Sequence, residues 1–243
     1  MTWALLPLKS FASAKQRLSA ILSGAERQGL VTAMVKDVLM VLSNHPQLSR
    51  VWIVSDDPDA HQLCQQFGID FIPESSLGVS GLNPVVTAAA AFLEAKGAGE
   101  LLIIHGDLPL VDADAISAML ATARSLASAG VVVAPDIHGT GTNCLWVSPA
   151  TAIGFAYGEN SCQHHKLLAA KAGLPFAELN ATGLSQDIDT PEDFLDLVAV
   201  ASNRPNSHTF RYLCDSGLGQ RIAELNAANL NGKIFSGSRH EYV

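Results

Sequence analysis

Aliphatic residues fall along this chain in short runs, separated by longer stretches in which they recur every three or four positions. The runs are Trp3-Ala-Leu-Leu-Pro-Leu8, Arg50-Val-Trp-Ile-Val-Ser55, Gly68-Ile-Asp-Phe-Ile72, Leu101-Leu-Ile-Ile104, Gly130-Val-Val-Val-Ala134, Cys144-Leu-Trp-Val-Ser148 and the segment from Phe176 to Leu179. Each has the length of a strand, and the unbroken aliphatic character of 101–104 reads as a strand buried on both faces, as in the middle of a parallel sheet. Helix patterns lie between them. Ser23-Gly-Ala-Glu26 has the form of a capping box and opens a helix over 25–43 with Leu30, Met34, Val38 and Leu42 on one face. Asp56-Asp-Pro-Asp59 begins a second helix; acids and Pro58 suit a helix N-terminus, so Asp56, Asp57 and Asp59 are read as caps before metal ligands. Further helices are expected over 84–96, 112–128, 162–172 and, from Thr190 as N-cap and Pro191 at the first helical position, 191–201.

Up to Ala134 strands and helices alternate without a break. That order implies a three-layer α/β/α fold around a mostly parallel sheet with right-handed crossovers, and the broken alternation after it implies a mixed one. Residues 1–201 read as one domain. From Ser202 the composition shifts to Asn, Ser, Gly and scattered charge, with Asn203-Arg-Pro-Asn206 as the boundary. The remainder is too short for a second core. Residues 202–243 are therefore expected to be an arm or partly disordered extension, with a short helix over 219–230.

Charge narrows the partners. Fifteen Lys and Arg against 23 Asp and Glu give a net charge of −8, a field that repels nucleic acids and anionic membranes. Yet Lys9, Lys15, Arg17, Arg27 and Lys36 all fall in the first 36 residues, where Glu26 is the lone acid, so a small phosphorylated substrate fits. No apolar run approaches the roughly 20 residues that span a bilayer, and a cytoplasmic protein is expected. Cys64, Cys144, Cys162 and Cys214 are far apart and suggest neither a zinc cluster nor a disulfide framework.

The candidate chemistry centres on Gly106-Asp-Leu-Pro109. Such a tetrapeptide is equally a turn signature, but here it ends a buried strand, where open α/β sheets bind ligands. Asp187 and Asp189 lie 80 and 82 positions further on, before the Thr190 helix start. A few hard oxygen ligands suit Mg²⁺, which keeps waters and takes substrate phosphates to complete its shell. The basic loop Lys9–Leu18 and the Ser- and Gly-rich stretch 75–83, which precedes a helix but is no Walker motif, add phosphate-binding capacity. Together they suggest nucleotidyl transfer from a nucleoside triphosphate. Two Gly- and hydroxyl-bearing turns, 136–143 and 155–161, read as a nest for a second phosphorylated substrate. His105 is expected in the core near a strand end, and His164 and His165 as caps or surface residues rather than zinc ligands.

Six segments carry a family resemblance: Leu6-Pro-Leu-Lys-Ser-Phe-Ala-Ser-Ala-Lys-Gln-Arg-Leu18, Gly81-Leu-Asn83, Gly106-Asp-Leu-Pro109, Ala134-Pro-Asp-Ile-His-Gly-Thr-Gly-Thr-Asn143, Phe155-Ala-Tyr-Gly-Glu-Asn-Ser161 with the following histidines, and Asp187-Ile-Asp-Thr-Pro-Glu-Asp193. In this order they resemble the phospholactate guanylyltransferase family, within the GT-A-like nucleotidyltransferases of nucleotide-diphospho-sugar-transferase-like Rossmannoid fold. The resemblance implies transfer of GMP from GTP to 2-phospho-L-lactate, phosphoenolpyruvate or 3-phospho-D-glycerate, with release of pyrophosphate, in coenzyme F420 biosynthesis. It implies Asp107 and Asp189 as Mg²⁺ ligands, with Asp187 the other candidate for the second position. Lys9, counted with the two aspartates as catalytic, would grip the triphosphate together with Lys15 and Arg17. Ser80, Gly81 and Asn83 would face the guanine or ribose, and Thr142, Gly158 and Ser161 the acceptor's phosphate. Two rivals stay open. One is a nucleotidyltransferase of the same fold using CTP or a molybdopterin or sugar-phosphate acceptor; the other is a non-catalytic nucleotide-binding regulator. Oligomeric state is open too, a homodimer included.

Overall fold

The computed structural model describes residues 1–126 and 129–230. In chain order the elements are β1 (Thr2–Pro7), α1 (Gly24–Asn44), β2 (Leu48–Ser55), α2 (Pro58–Phe67), β3 (Asp70–Pro73), α3 (Leu82–Ala95), β4 (Glu100–Ile104), α4 (Ala113–Ser125), β5 (Gly130–Pro135), β6 (Thr142–Ser148), α5 (Ser161–Lys171), β7 (Phe176–Glu178), α6 (Thr182–Ser185), α7 (Pro191–Ala201), α8 (His208–Asp215) and α9 (Leu218–Leu230). The seven strands form one sheet in the order β3-β2-β1-β4-β6-β5-β7. All neighbours are parallel except β6, which runs antiparallel to both β4 and β5. Expected elements and observed ones agree closely. The helix expected over 112–128 ends at Ser125; Ala127 and Ser128 lie outside the described residues.

Strand alternation builds the three layers. Leu102 and Ile104 point into one core with Ala4, Leu6, Ile53 and Val132, while Leu101 and Ile103 point into the other with Leu5, Val54, Val131 and Leu145. Helices α1, α2, α4 and α7 cover the first face and α3 and α5 the second. All four residues of 101–104 are fully buried, the outcome expected for an aliphatic run with a helix layer on each side. On α1, Leu30, Met34, Val38 and Leu42 are buried along one stripe, and each such side chain contributes about 1.5–3 kcal/mol of burial free energy. The capping box at its start is complete, Ser23 Oγ accepting from Glu26 N and Glu26 Oε2 accepting from Ser23 N.

The chain after Ser202 departs from the expected arm. Arg204 donates to the Val111 carbonyl and pairs with Asp112 at 3.1 Å, and Leu213, Leu218 and Ile222 enter the core on the α1 face. Asp37, a buried carboxylate on α1, accepts from the amides of His208 (2.6 Å) and Thr209 (3.0 Å), the first two of α8. These residues need no core of their own because α1 supplies it. The rest of the extension, residues 231–243, lies outside the described residues.

β1 fixes where a ligand can sit. The chain moves from β1 to β2 and β3 on one side, then crosses back through α3 to β4 on the other. The carboxyl ends of β1 and β4 therefore flank a topological switch point, the crevice at which open α/β sheets take ligands. β6 runs backwards, so its first residues, Thr142 and Asn143, arrive at the same edge; His105 N donates to Asn143 O at 3.0 Å just beyond the β4–β6 pairing.

Candidate active site

Gly106, two residues beyond β4, has no room for a side chain. A Cβ there would stand 2.7 Å from Leu8 Cδ2 and 2.9 Å from Val35 Cγ2. The close approach lets the loop after β1 and the face of α1 lie directly against the strand end, with Asp107 next in line. Asp187 and Asp189 reach the same point from the segment before α7; Ile188 N donates to the Asp107 carbonyl at 3.3 Å. Asp189 is fixed from behind, because its amide and that of Thr190 both donate to Asp193 Oδ2. Carboxylate oxygens of Asp107, Asp187 and Asp189 all lie within 4.8 Å of one another. Asn143, quoted in a motif but given no role by the sequence, donates to Asp187 Oδ1 at 3.1 Å. The signal for it was its place at the first turn of a reversed strand, visible only once the strand order is known.

Lys15 is the resident counter-ion. Its Nζ lies 2.5 Å from Asp107 Oδ2 and 2.6 Å from Asp189 Oδ1, with the side chain 9% exposed. Burial by itself lowers the ammonium's pKa, but the two carboxylates reverse this and leave it above the ordinary lysine value. For Asp107 the balance is the mirror image: burial raises the pKa, and Lys15, then His105, bring it below the usual carboxylate value. Asp187 is raised, by burial and then by Asp107, against the bond from Asn143. Lys15 also holds a left-handed backbone, φ 54°, that aims its side chain inward between two 3₁₀ turns, Phe11–Ser13 and Gln16–Ala20. Arg17 is mostly exposed, 4.0 Å from Asp189 Oδ2.

Two clefts meet here. One of about 330 Å³ is lined by Lys9, Ser10, Lys15, His105, Asp107 and Asp189 among others; the second, about 480 Å³, by Lys9, Ser10, Asp56, Glu74 and Gly81 among others. They share Lys9 on the wall between them. Asp57 is the N-cap of α2, as expected, and accepts from the amides of Asp59 and Phe11; Asp56 and Asp59 do not cap that helix, because Asp56 accepts from Ser75 and Asp59 from the Gln28 side chain. Ser80 is exposed beside Gly81, the N-cap of α3 with φ 89°.

The remaining residues singled out by the sequence lie around the 155–161 loop. Asn83, expected to face the guanine or ribose, bonds the backbone of Tyr157 with both ends of its amide. Thr142 is 3% exposed and its hydroxyl lies 3.1 Å from His165 Nδ1, because β6 carries it under the 155–161 loop. Ser161 is also buried, at the start of α5, while Gly158 is exposed with φ 119°. His165, expected at the surface or in a cap, is fully buried because α5 turns it under that loop. His105 is half-buried against the ring of Tyr157.

Three carboxylates with hard oxygens, an Asp107 Oδ1 buried without a hydrogen-bond partner among the described residues, and an ammonium between two of the acids are what a divalent cation would meet here. A cation could replace the lysine between them. The family model "Guanylyl transferase CofC like" matches residues 2–227. The chain belongs to this family. It is accordingly a nucleotidyltransferase. Among curated relatives it is 36% identical to the phosphoenolpyruvate guanylyltransferase of Conexibacter woesei, across 84% of this chain and 90% of that one. It is 33% identical to the 2-phospho-L-lactate guanylyltransferase of Methanothermobacter thermautotrophicus, across 81% and 84%. Among solved structures, a protein of Desulfovibrio desulfuricans G20 provisionally described as a nucleotide-diphospho-sugar transferase superposes with a TM-score of 0.71 at 16% identity, covering 92% of this chain and 97% of that one. That likeness shows the shared fold. The match to residue 227 also takes the family unit past Ser202 and through most of α9.

Proposed function

We propose that this protein transfers GMP from GTP to a three-carbon phosphate, with Mg²⁺ at the Asp107, Asp187 and Asp189 cluster, in the cytoplasmic biosynthesis of coenzyme F420. The carrying observation is the convergence of three carboxylates and Lys15 at the switch point, beside two clefts that share Lys9. An oxygen of the acceptor phosphate attacks the α-phosphorus of GTP; the bond from that phosphorus to the bridging oxygen breaks, and pyrophosphate leaves with the electron pair. No proton need move, so no general base is required.

What the protein must supply is alignment and charge. Lys9, Lys15 and Arg17 carry three positive charges on one short loop, enough to hold a triphosphate against the repulsion of a second anion. Asp107, Asp187 and Asp189 would hold the cation, which when bound neutralises phosphate charge. Asn143 keeps Asp187 oriented, and the Asp193 carboxylate keeps Asp189 in place. The names of relatives support phosphoenolpyruvate and 2-phospho-L-lactate as first acceptors to try. 3-Phospho-D-glycerate completes the panel.

Pyrophosphate release is to be measured with GTP, then CTP, against the three acceptors, with the product mass recorded. Guanylylated product from one acceptor is expected, and turnover with CTP alone, or with none, overturns the reading. Asp107→Asn should lower the rate by on the order of a hundredfold or more. A near wild-type rate in that variant sinks the metal assignment.

A further inference from the structure

The segment 155–161, which turns from β6 into α5, is held by side chains from two other places in the fold. From the front comes Asn83, on the first turn of α3. Its Oδ1 accepts from Tyr157 N at 2.7 Å and its Nδ2 donates to Tyr157 O at 3.0 Å, fixing the peptide planes on both sides of one residue. From behind comes His165, fully buried, whose Nε2 accepts from Ala156 N at 3.0 Å and whose Nδ1 lies 3.1 Å from the Thr142 hydroxyl. Burial, with His164 and His105, lowers this imidazole to a pKa of about 4, so the ring is neutral near pH 7. A neutral ring that accepts at Nε2 carries its proton on Nδ1. Thr142 Oγ1 is then the acceptor of that bond and keeps its own proton to donate. The Tyr157 ring packs between the two histidines, 5.2 Å from His105 and 5.0 Å from His165.

Successive amides, Ala156 and Tyr157, are thus anchored to opposite partners immediately before Gly158 and Asn160, two positive-φ residues that shape the turn. We propose that Asn83 and His165 are positioning residues that clamp the 155–161 loop in its acceptor-binding shape, so that Asn83, although it opens the helix beside the nucleotide cleft, acts on the acceptor. The inference rests on the reading of Thr142, Gly158 and Ser161 as the acceptor's side of the site. It also makes the two substrate sites share one hydrogen-bonded seam, from the start of α3 to the start of α5.

The test is a split of kinetic constants. Asn83→Ala should raise the KM for the acceptor roughly tenfold, as loss of two hydrogen bonds implies, and leave the KM for GTP within about twofold. His165→Ala should do the same, with partial recovery in His165→Gln, whose side-chain carbonyl can still accept from Ala156 N. A rise in the GTP KM with the acceptor KM unchanged overturns the proposal for Asn83. So does a fall in kcat with neither KM moved. Hydrogen exchange of the unliganded protein gives a second reading: the Tyr157 amide should exchange faster in Asn83→Ala than in the wild type, and unchanged exchange overturns the clamp. If the wild type turns over no three-carbon phosphate, the functional reading fails by itself, and exchange alone then decides whether the clamp stands.

Discussion

Lys15 explains how Asp107 and Asp189 can share one small space with Asp187 beside them. A buried ammonium partly compensates two carboxylates; remove it, and Asp107 and Asp189 face each other with Asp187 adjacent. Breaking a buried ion pair by deleting one partner costs about 3–5 kcal/mol, and the half-exposed Asp189 reduces that figure. Lys15→Met is therefore expected to lower stability by about 2 kcal/mol in urea unfolding without metal, and to restore part of the loss when Mg²⁺ is added. The wild type should respond less to Mg²⁺, since Asp107 and Asp189 are already paired with Lys15. Equal Mg²⁺ responses in the two proteins would contradict the exchange of ammonium for cation. The sequence placed Lys15 among the phosphate-binding cations on the strength of resemblance. Its pairing was not legible, because a loop residue's partners 92 and 174 positions away follow from the sheet order alone.

Elements were the most legible level. Aliphatic runs bounded by Gly, Pro and Ser marked every strand, and the caps at Ser23, Asp57 and Thr190 marked helix starts that the structure reproduces with their hydrogen bonds. The reversed direction of β6 was not legible, since four buried residues in a row look alike in either orientation. For that reason Thr142 and Asn143 were read as loop chemistry, when they are the opening residues of a strand between β4 and β5. Helix α8 was missed for a different reason, whereas α9 falls on the short helix expected over 219–230. A polar stretch such as 203–217 shows no core pattern of its own, and what holds it, Asp37, sits inside a helix more than 160 residues earlier. Asp37→Ala leaves Ser207 as the N-cap of α8 but removes the acceptor of its first two amides, and is expected to destabilise the protein by about 1–2 kcal/mol, with Asp37→Asn milder because an acceptor remains. Equal chemical-denaturation midpoints for wild type and Asp37→Ala would refute this role.

At the level of the whole molecule, acid stability should carry the signature of one buried ring. The unfolded chain protonates His165 near the ordinary histidine value of 6.5, whereas the folded protein resists until about 4. Between those values the unfolded state binds the extra proton, so stability falls as pH drops from about 6.5 towards 4, by at most about 1.4 kcal/mol per pH unit from this group. His165→Gln should flatten that part of the stability curve, measured by denaturant midpoints across the window. A curve of unchanged slope would show that the ring is not held neutral.

Lys15 can also be seen as a cross-link. Its two bonds close loops of 92 and 174 residues, one to the middle of the chain and one near the end of the domain. Closing such loops has an entropic cost that depends only weakly on length, but it can be met only when the strands between them are already in place. No fragment that ends before Asp189 or begins after Lys15 therefore contains the whole site. A chain still emerging from synthesis has no acidic cluster until Asp189 is free to fold, and a partly unfolded molecule loses the cluster together with the β1–β4 core that brings its pieces together.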